Sequence, residues 1–169
     1  MPAGTGTFVL GTRDVEIDHN TYTNNFTSSF SVVSYFVAVP SWTAAQDPAY
    51  NPVSKRVYFH DNTLTGNGVQ PDLNTQLGQL LVSGKSAGVY PHGHVPEILV
   101  DGIADAAGPV AGAPQGDPTY LCFGNNGTVD FANMHFDQIK SDGSNFAQIL
   151  TFDASAYACT LPALAPVSF

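Results

Sequence analysis

An eleven-residue segment occurs twice in this chain, with its copies 42 positions apart. Residues 15–25 (VEIDHNTYTNN) return as residues 57–67 (VYFHDNTLTGN), with five identical positions and an apolar residue again at the place of Ile17. A repeat of this kind constrains the fold strongly, because each copy must form a unit that packs against the next. The repeat predicts short strands that stack in register.

Within each copy, apolar residues alternate with polar ones and an Asn-Thr corner follows. Val15 and Ile17 in the first copy, like Val57 and Phe59 in the second, would lie on one face of a strand. Asn and Gly tolerate the left-handed backbone of a tight bend. Such short strands favour parallel partners above and below over hairpin neighbours. We therefore predict an all-β fold, a parallel β-helix of about three to four coils that forms one domain over residues 1–169.

Stacking of the two copies would align their corners. Equivalent residues would lie roughly 4.8 Å apart, so Asn20 would sit over Asn62 and their side chains could form an amide ladder. Thr21 would likewise sit over Thr63. The same alignment places Asp18 beside His60 and His19 beside Asp61. These neighbours could simply stabilise adjacent strands, or they could form a titrating cluster.

The charge content narrows the class of partner. Only 11% of the residues are charged and the formal net charge is −9, with five Lys and Arg in total. Nucleic-acid binding depends on basic side chains that replace counterions, so it is disfavoured. No apolar run approaches the length of about 18 residues of a membrane span. Cations or neutral glycans are better partners, and no cofactor is indicated.

Two segments depart from the strand pattern and predict loop insertions, at residues 40–55 and 101–118. The first contains three prolines, which exclude it from the interior of a sheet. Its Trp42 and Tyr50 could stack on a sugar ring, or they could fold down over apolar strand surface. Between the two insertions, residues 79–82 and 97–100 read as strands of a third coil.

His92 and His94 are the weak candidates for a metal site. Two histidines at i and i+2 share one face of an extended chain, which makes coordination conceivable. A third ligand is not evident in the neighbouring sequence, so we expect no bound metal.

Cys122 and Cys159 are separated by 37 positions. No His or Cys lies near them at zinc-binding spacing, which favours a disulfide over two buried free thiols. A disulfide that closes this loop would stabilise the fold by about 4 kcal/mol on the chain-entropy estimate and would indicate an oxidising compartment. It would also hold the tail, residues 159–169, against the body.

Several motifs in order resemble one protein family. The runs GTGTFVLGTRDVEIDHNTYTNN, VVSYF, VYFHDNTLTGNG, LCFGNNG, VDFANMHFD and CTLPALAPV look like the C-terminal portion of exported bacterial proteins with parallel β-helix repeats. The resemblance implies a right-handed parallel β-helix, an exported location and a terminal disulfide, but no established function. Strand edges exposed at the N-terminal end would invite end-to-end association of copies.

Three functions compete at this stage. The first is an exported module that binds polysaccharide or cell-surface glycan, or acts as a scaffold. The second is a polysaccharide lyase or uronate epimerase, which needs a base and a group that neutralises the substrate carboxylate. The third is a purely structural assembly role. The only concentrated set of catalytic candidates is Arg13, Asp18, His19, Tyr58, His60 and Asp61.

Overall fold

The computed structural model of the chain describes residues 1–43, 46–105 and 120–165. These residues form nine β-strands, three α-helices and one 3-10 turn. In chain order the elements are β1 (Thr5–Leu10), β2 (Arg13–Asp18), β3 (Thr21–Thr23), β4 (Ser28–Val33), α1 (Tyr35–Ala38), β5 (Lys55–His60), β6 (Thr63–Thr65), α2 (Gln76–Ser86), β7 (Ile98–Val100), β8 (Leu121–Gly124), β9 (Phe131–Asn133), α3 (Phe146–Ile149) and the 3-10 turn (Ser155–Tyr157).

The strands form three small parallel sheets. Their orders are β1-β4-β7-β9, β2-β5-β8 and β3-β6. Successive passes of the chain therefore stack as levels: β1 to β3 make the first level, β4 to β6 the second, β7 and β8 the third, and β9 begins a fourth.

The prediction of an all-β, right-handed parallel β-helix is wrong. The described residues are about 28% strand and 15% helix, and the fold is mixed α/β. The clearest error lies at residues 79–82, which belong to α2 and not to a strand. The side chain of Thr75 caps the first turn of this helix by accepting from the N–H of Gly78. Leu77, Leu80 and Leu81 follow helical spacing and pack in the second core.

The predicted stacking of the repeat is confirmed. Val15 pairs with Val57, Ile17 with Phe59 and Asp18 with His60, all in parallel register. Thr21–Thr23 pairs with Thr63–Thr65 in the same way. A third, shorter copy follows at residues 121–126 (LCFGNN), because Leu121 pairs with Val57 and Phe123 with Phe59. Its apolar, apolar, Asn spacing matches that of the first two copies.

Two hydrophobic cores lie on opposite faces of the four-stranded sheet. Ile98 and Val100 belong to the core between the sheets, whereas Leu99, between them in β7, belongs to the core beneath the helices. This follows from the alternation of side chains along a strand. At the centre of the first core, the rings of Phe30 and Phe59 stack with centroids 4.1 Å apart. Strand β4 is buried along its full length.

The corners after β2, β5 and β8 share one backbone conformation. His19, Asp61 and Asn125 occupy equivalent positions and have φ values of 54°, 53° and 53°. A left-handed residue is needed here to turn the chain out of the strand. Asp and Asn tolerate this conformation well, which is why the corners are polar in every copy.

The loop predicted at residues 40–55 folds back onto the first level. The Tyr50 hydroxyl donates to the carbonyl of Gly11 at 2.9 Å. Of the second loop, residues 101–105 are described and residues 106–118 lie outside the described ranges. Asp101 accepts from the backbone N–H of Ser34, and burial raises the pKa of this carboxyl to about 6. Lys55 pairs with Asp105.

Candidate functional site

Asparagine ladders connect the levels at the corners. The backbone N–H and the side-chain Nδ2 of Asn20 lie 2.9 and 3.3 Å from Oδ1 of Asn62. Asn62 repeats the pattern one level on, with both nitrogens 3.1 Å from Oδ1 of Asn126. The predicted ladder is therefore present and extends to a third rung. Each rung satisfies a backbone donor at a bend that the strands cannot satisfy.

A second ladder ends in a carboxylate. Asn25 donates its backbone N–H and Nδ2 to Oδ1 of Asn67 at 2.8 and 3.0 Å. Asn67 then donates to Oε1 of Glu97 at 3.2 Å. Glu97 stands where a third asparagine would continue the ladder, and only 7% of its surface is exposed. The exchange of an amide for a carboxyl group places a buried acidic side chain at this level.

The β3–β6 sheet stops after two strands because the chain takes a shorter path at the third level. Phe30 and Phe131 occupy equivalent positions in the four-stranded sheet, one level after the corner asparagines Asn20 and Asn126. The chain uses ten residues from Asn20 to Phe30 but only five from Asn126 to Phe131. Five residues leave no length for a strand over Thr63–Thr65 after the corner. The outer edge of β6 therefore faces a cleft.

This cleft consists of two adjoining cavities of about 540 and 390 Å³. Both are lined by Leu64 of β6 and by Thr128, on the short connection opposite. We call the pair the Thr128 cleft. The other polar residues that line its first cavity are His19, Asp61, Asn62, Thr63, Asn125 and Asn126, and those of its second are Thr65, Asn67, His92, His94, Glu97 and Asp130.

Asp130 joins two histidines in the second cavity. Nδ1 of His92 lies 2.8 and 2.9 Å from the two carboxylate oxygens of Asp130. Nε2 of His94 lies 3.1 Å from Oδ2 of the same residue. The carboxylate therefore orients both rings, while the His92 side chain is 66% exposed. This arrangement presents an imidazole edge to anything bound in the cavity.

Histidine is the one basic residue type among the described residues that line the cleft. Among the described residues that line its two cavities there is no Lys or Arg, whereas Asp61, Glu97 and Asp130 all contribute carboxylates. A polyanion would be repelled from such a surface. Hydroxyl and ammonium groups can instead donate hydrogen bonds to these oxygens.

His60, a predicted catalytic residue, is enclosed on the opposite side of the corner. Its Nδ1 lies 2.6 Å from Asp61 and its Nε2 lies 3.2 Å from Glu16, while its ring stacks on Tyr58 with centroids 3.8 Å apart. Burial alone would lower the pKa of His60, but the hydrogen bonds with Asp61 and Glu16 outweigh it and raise the pKa above 6.5. The bond from His60 lowers the pKa of Asp61.

The C-terminal tail covers this enclosed group. Leu161 packs against Tyr58 and Cys122, and the backbone N–H of Leu164 donates to Glu16 at 2.9 Å. The predicted disulfide between Cys122 and Cys159 is present and holds the tail in place. The tail is therefore the cover of this group.

The remaining catalytic candidates are divided. Nδ1 of His19 bonds Asp18 at 2.6 Å, just as His60 bonds Asp61 within the second copy. The contact between levels is the one from His60 to Glu16, and not a bond between Asp18 and His60 or between His19 and Asp61. Of the six candidates, His19 and Asp61 line the Thr128 cleft. Arg13 lies at the start of β2, the end opposite Asp18.

Trp42 and Tyr50 lie in an aromatic cluster away from the cleft. The Trp42 ring makes edge contacts with Tyr35, Phe36 and Tyr50, at centroid distances of 6.3, 5.4 and 5.8 Å. Both predicted ligand-binding residues are half-buried. Their rings meet edge to face, with an interplanar angle of 85°. Neither residue is among the described residues that line the Thr128 cleft.

A third cavity, of about 340 Å³, lies between α1, α2 and residues 136–139. Its lining is apolar apart from Gln76. A pocket of this kind can hold an apolar molecule, but it has few polar groups that would orient one. The Thr128 cleft offers far more directional contacts.

Neither a metal centre nor a membrane span is found in the described ranges. There, no group of three or more His, Cys, Asp or Glu side chains has the arrangement of a metal site. Asp130 is the neighbour of His92 and His94 that the local sequence did not reveal, and it acts as their hydrogen-bond partner. No helix among these residues is both long and apolar enough to cross a bilayer.

Reasoning from sequence did not single out several polar residues of the cleft, among them Glu97, Thr128 and Asp130. Glu97 follows the α2 insertion, and the other two lie on the shortened connection after the third copy. The signal that could have found them is the LCFGNN copy itself. Once it is aligned with the first two, the early return of the chain to an apolar strand is visible.

No protein-family model, curated protein or solved structure matches this chain. The functional argument therefore depends on the geometry of the cleft.

Proposed function

We propose that this protein is an exported carbohydrate-binding module that holds a neutral or positively charged saccharide in the Thr128 cleft. The observation that carries the proposal is the pair of adjoining polar cavities along the open edge of β6. Saccharides present many hydroxyl groups, which can both donate and accept. The cleft offers threonine hydroxyls, asparagine amides, imidazoles and carboxylates as hydrogen-bond partners for these hydroxyl groups.

The charge of the cleft supports a neutral or cationic saccharide over a uronate polymer. Each uronate residue carries a carboxylate. In the cleft this carboxylate would lie near the acidic residues Asp61, Glu97 and Asp130, and the described lining residues include no lysine or arginine. Bringing like charges together in a partly enclosed site is unfavourable. A saccharide without acidic groups avoids this cost.

The lyase or epimerase alternative is less well supported. Such chemistry needs a base beside a cation that neutralises the substrate carboxylate. Arg13 and Asp18 are separated by the length of β2, about 17 Å at 3.3 Å per residue. Tyr58 and His60 are covered by the tail. The candidate catalytic set therefore does not converge on one substrate position.

Export is proposed from the disulfide and from the resemblance to exported repeat proteins. The Cys122–Cys159 bond supports an oxidising compartment. A surface that contacts saccharides outside the cell would suit a protein whose low content of charged side chains is balanced by amides and hydroxyls.

Affinity electrophoresis in gels that contain single polysaccharides tests the proposal. We expect retention by at least one neutral or amino-group-bearing polysaccharide and no retention by alginate or pectate. Thr128→Tyr would fill the junction of the two cavities and should weaken binding by about tenfold or more, a loss of about 1.4 kcal/mol. Thr23→Tyr is the matched control, because Thr23 is exposed on β3 and does not line the cleft.

Two results would count against the proposal. One is the absence of retention with every neutral and amino polysaccharide. The other is equal weakening by Thr128→Tyr and Thr23→Tyr, which would place binding elsewhere. Formation of unsaturated uronate products on incubation with alginate or pectate would favour the lyase alternative instead.

A further inference from the structure

The two ends of the strand stack differ in what covers them. At the first level, β1, β2 and β3 each pair with one neighbour only, and no other strand of the described residues pairs with their outer edge. At the opposite end, the 3-10 turn packs on β8, the Cys122–Cys159 bond fastens the tail there, and Asn133 of β9 bridges Thr151. The other end is capped on two of its three sides. The first level is open along the backbone edges of β2 and β3 in the described residues, where Tyr50 reaches only Gly11, before β2, and Leu164 reaches only the side chain of Glu16.

The asparagine ladders have a direction, and it leaves acceptors free at the open end. Each Asn donates through its backbone N–H and Nδ2 to Oδ1 of the Asn one level further on. No described residue donates to Oδ1 of Asn20 or Asn25, the first rungs. Two amide acceptors, five residues apart, therefore face outward with the geometry that receives a matching pair of donors.

The backbone of β3 offers a free edge beside these acceptors. The carbonyl of Asn20 accepts from Thr63 and the N–H of Asn24 donates to Thr65, so the alternate residues Thr21 and Thr23 direct their backbone groups away from β6. An extended chain placed there can bond in parallel register, as β6 does on the inner side.

The side chains along β2 indicate the charge of a matching segment. Asp14 pairs with Arg56 one level inward at 2.8 Å, and Asp18 lies beside His60 in the register. A segment above the open edge would oppose Asp14, Asp18 and His19. A segment with a basic side chain over each of the two carboxylates and an acidic side chain over the imidazole would complement these charges.

We propose that the open edge of β2 and β3 binds an extended segment of another polypeptide, in parallel register, with the chemistry of residues 55–67 (KRVYFHDNTLTGN). That sequence brings Arg over Asp14, His over Asp18, Asp over His19 and asparagines over Asn20 and Asn25. Its Lys lies over Arg13, the like-charge neighbours that Arg13 and Lys55 already are between the first two levels. A whole second copy in head-to-tail orientation is a poorer occupant, because its capped end would have to shed the disulfide-held tail. This proposal is independent of the saccharide site.

A synthetic peptide of residues 55–67 with a fluorescent label is the probe, titrated against the intact oxidised protein. We expect saturable binding. A peptide of residues 13–25 keeps the Asn, Thr and apolar pattern but sets Asp over Asp, so its binding should be at least about fivefold weaker. Alanine at both peptide asparagines removes two side-chain donors and should weaken binding by about tenfold.

Blocking the edge from either side completes the test. Thr21→Pro removes an outward N–H from an edge strand without removing a bond to β6, and it should reduce peptide binding at least tenfold. N-methylation of the peptide at the position of Leu64 removes the facing donor while the protein is unchanged, so this arm does not depend on how the variant folds. The proposal would be overturned if the unmodified peptide did not bind. It would also be overturned if neither Thr21→Pro nor N-methylation of the peptide weakened binding. Dimers that form with rising concentration and exclude the peptide would identify a second copy as the occupant and would also overturn it.

Discussion

Imidazole and carboxylate groups meet at two places that differ in exposure. We call His60 with Asp61 and Glu16 the His60 cluster, and Asp130 with His92 and His94 the Asp130 cluster. The side chain of His60 is 11% exposed and both of its nitrogens are bonded, beneath a tail that contributes Leu161 and Leu164. His92, bonded to Asp130, is 66% exposed beside a cavity. Burial and saturation distinguish polar groups that hold the fold from polar groups that can meet a ligand. The residue types alone do not.

The comparison has a measurable consequence. We call the buried polar residues whose hydrogen-bonding groups all have partners the saturated set. Substitutions in the saturated set should lower the free energy of unfolding, because they leave buried partners unpaired. Changes around Asp130 should affect binding far more than stability. The four predictions below test this separation, in order of expected effect on stability.

Removal of the disulfide is expected to have the largest effect. Cys122→Ser combined with Cys159→Ser frees a loop of 37 residues, and the chain-entropy estimate gives a loss of about 4 kcal/mol. The tail that covers the His60 cluster would be released with it. Urea denaturation followed by circular dichroism measures the loss. A change below about 1 kcal/mol would mean that the tail is held by other contacts.

The middle rung of the first ladder should matter more than its end. The buried side chain of Asn62 accepts from Asn20 and donates to Asn126 and to the carbonyls of Ile17 and His60. Asn62→Ala should cost about 2–3 kcal/mol, because several buried groups lose their partner. Asn20→Ala, at the exposed end, should cost less than about 1 kcal/mol. Equal losses in the two variants would contradict the ladder as a cooperative unit.

The His60–Asp61 pair should make stability depend on pH. The pKa of His60 is raised above 6.5, so its contribution is complete below pH 6.5 and is lost as the pH rises through the folded-state pKa. The pKa of Asp61 is lowered below 3.8, so its contribution is present above pH 3.8 and is lost as the pH falls further. The stabilisation should therefore be greatest between these two values.

The variant His60→Asn isolates this contribution. The difference in unfolding free energy between the wild-type protein and the variant should shrink as the pH rises above 6.5. Asp101, whose pKa is about 6, titrates in both proteins and cancels in the difference. A difference that grows with pH would contradict the raised pKa of His60.

Asp130→Asn should have the smallest effect on stability and a large effect on binding. The amide still offers an acceptor to His92 or His94, so the free energy of unfolding should change by less than about 0.5 kcal/mol. Loss of the charge from the cavity should weaken saccharide binding about tenfold. A stability loss comparable to that of Asn62→Ala would assign Asp130 to the saturated set.

Much of the strand stack could be predicted from sequence, because the repeat carries its own register. Five identities across residues 15–25 and 57–67 were enough to place Asn20 over Asn62. Strand β1, Thr5–Leu10, likewise coincides with a short apolar run of the sequence. These elements depend on local pattern and on the copy directly above, and both can be read from the chain.

The helices and the cleft could not be predicted in the same way. Residues 79–82 form a short apolar run, which is compatible with a strand or with one turn of a buried helix; Thr75 and the spacing of Leu77, Leu80 and Leu81 decide for the helix. Glu97 and Asp130 are 33 positions apart and meet only because α2 is looped out between levels. No local pattern records that proximity.

The shortened connection between Asn126 and Phe131 makes the cleft a product of chain length more than of residue identity. Restoring the five residues that the first level has at this point would supply a third strand over Thr63–Thr65 and close the opening while the buried core kept its side chains. Insertion or deletion of such a segment during evolution could thus remove or create the recognition surface. Neither change would require substitutions in the buried core.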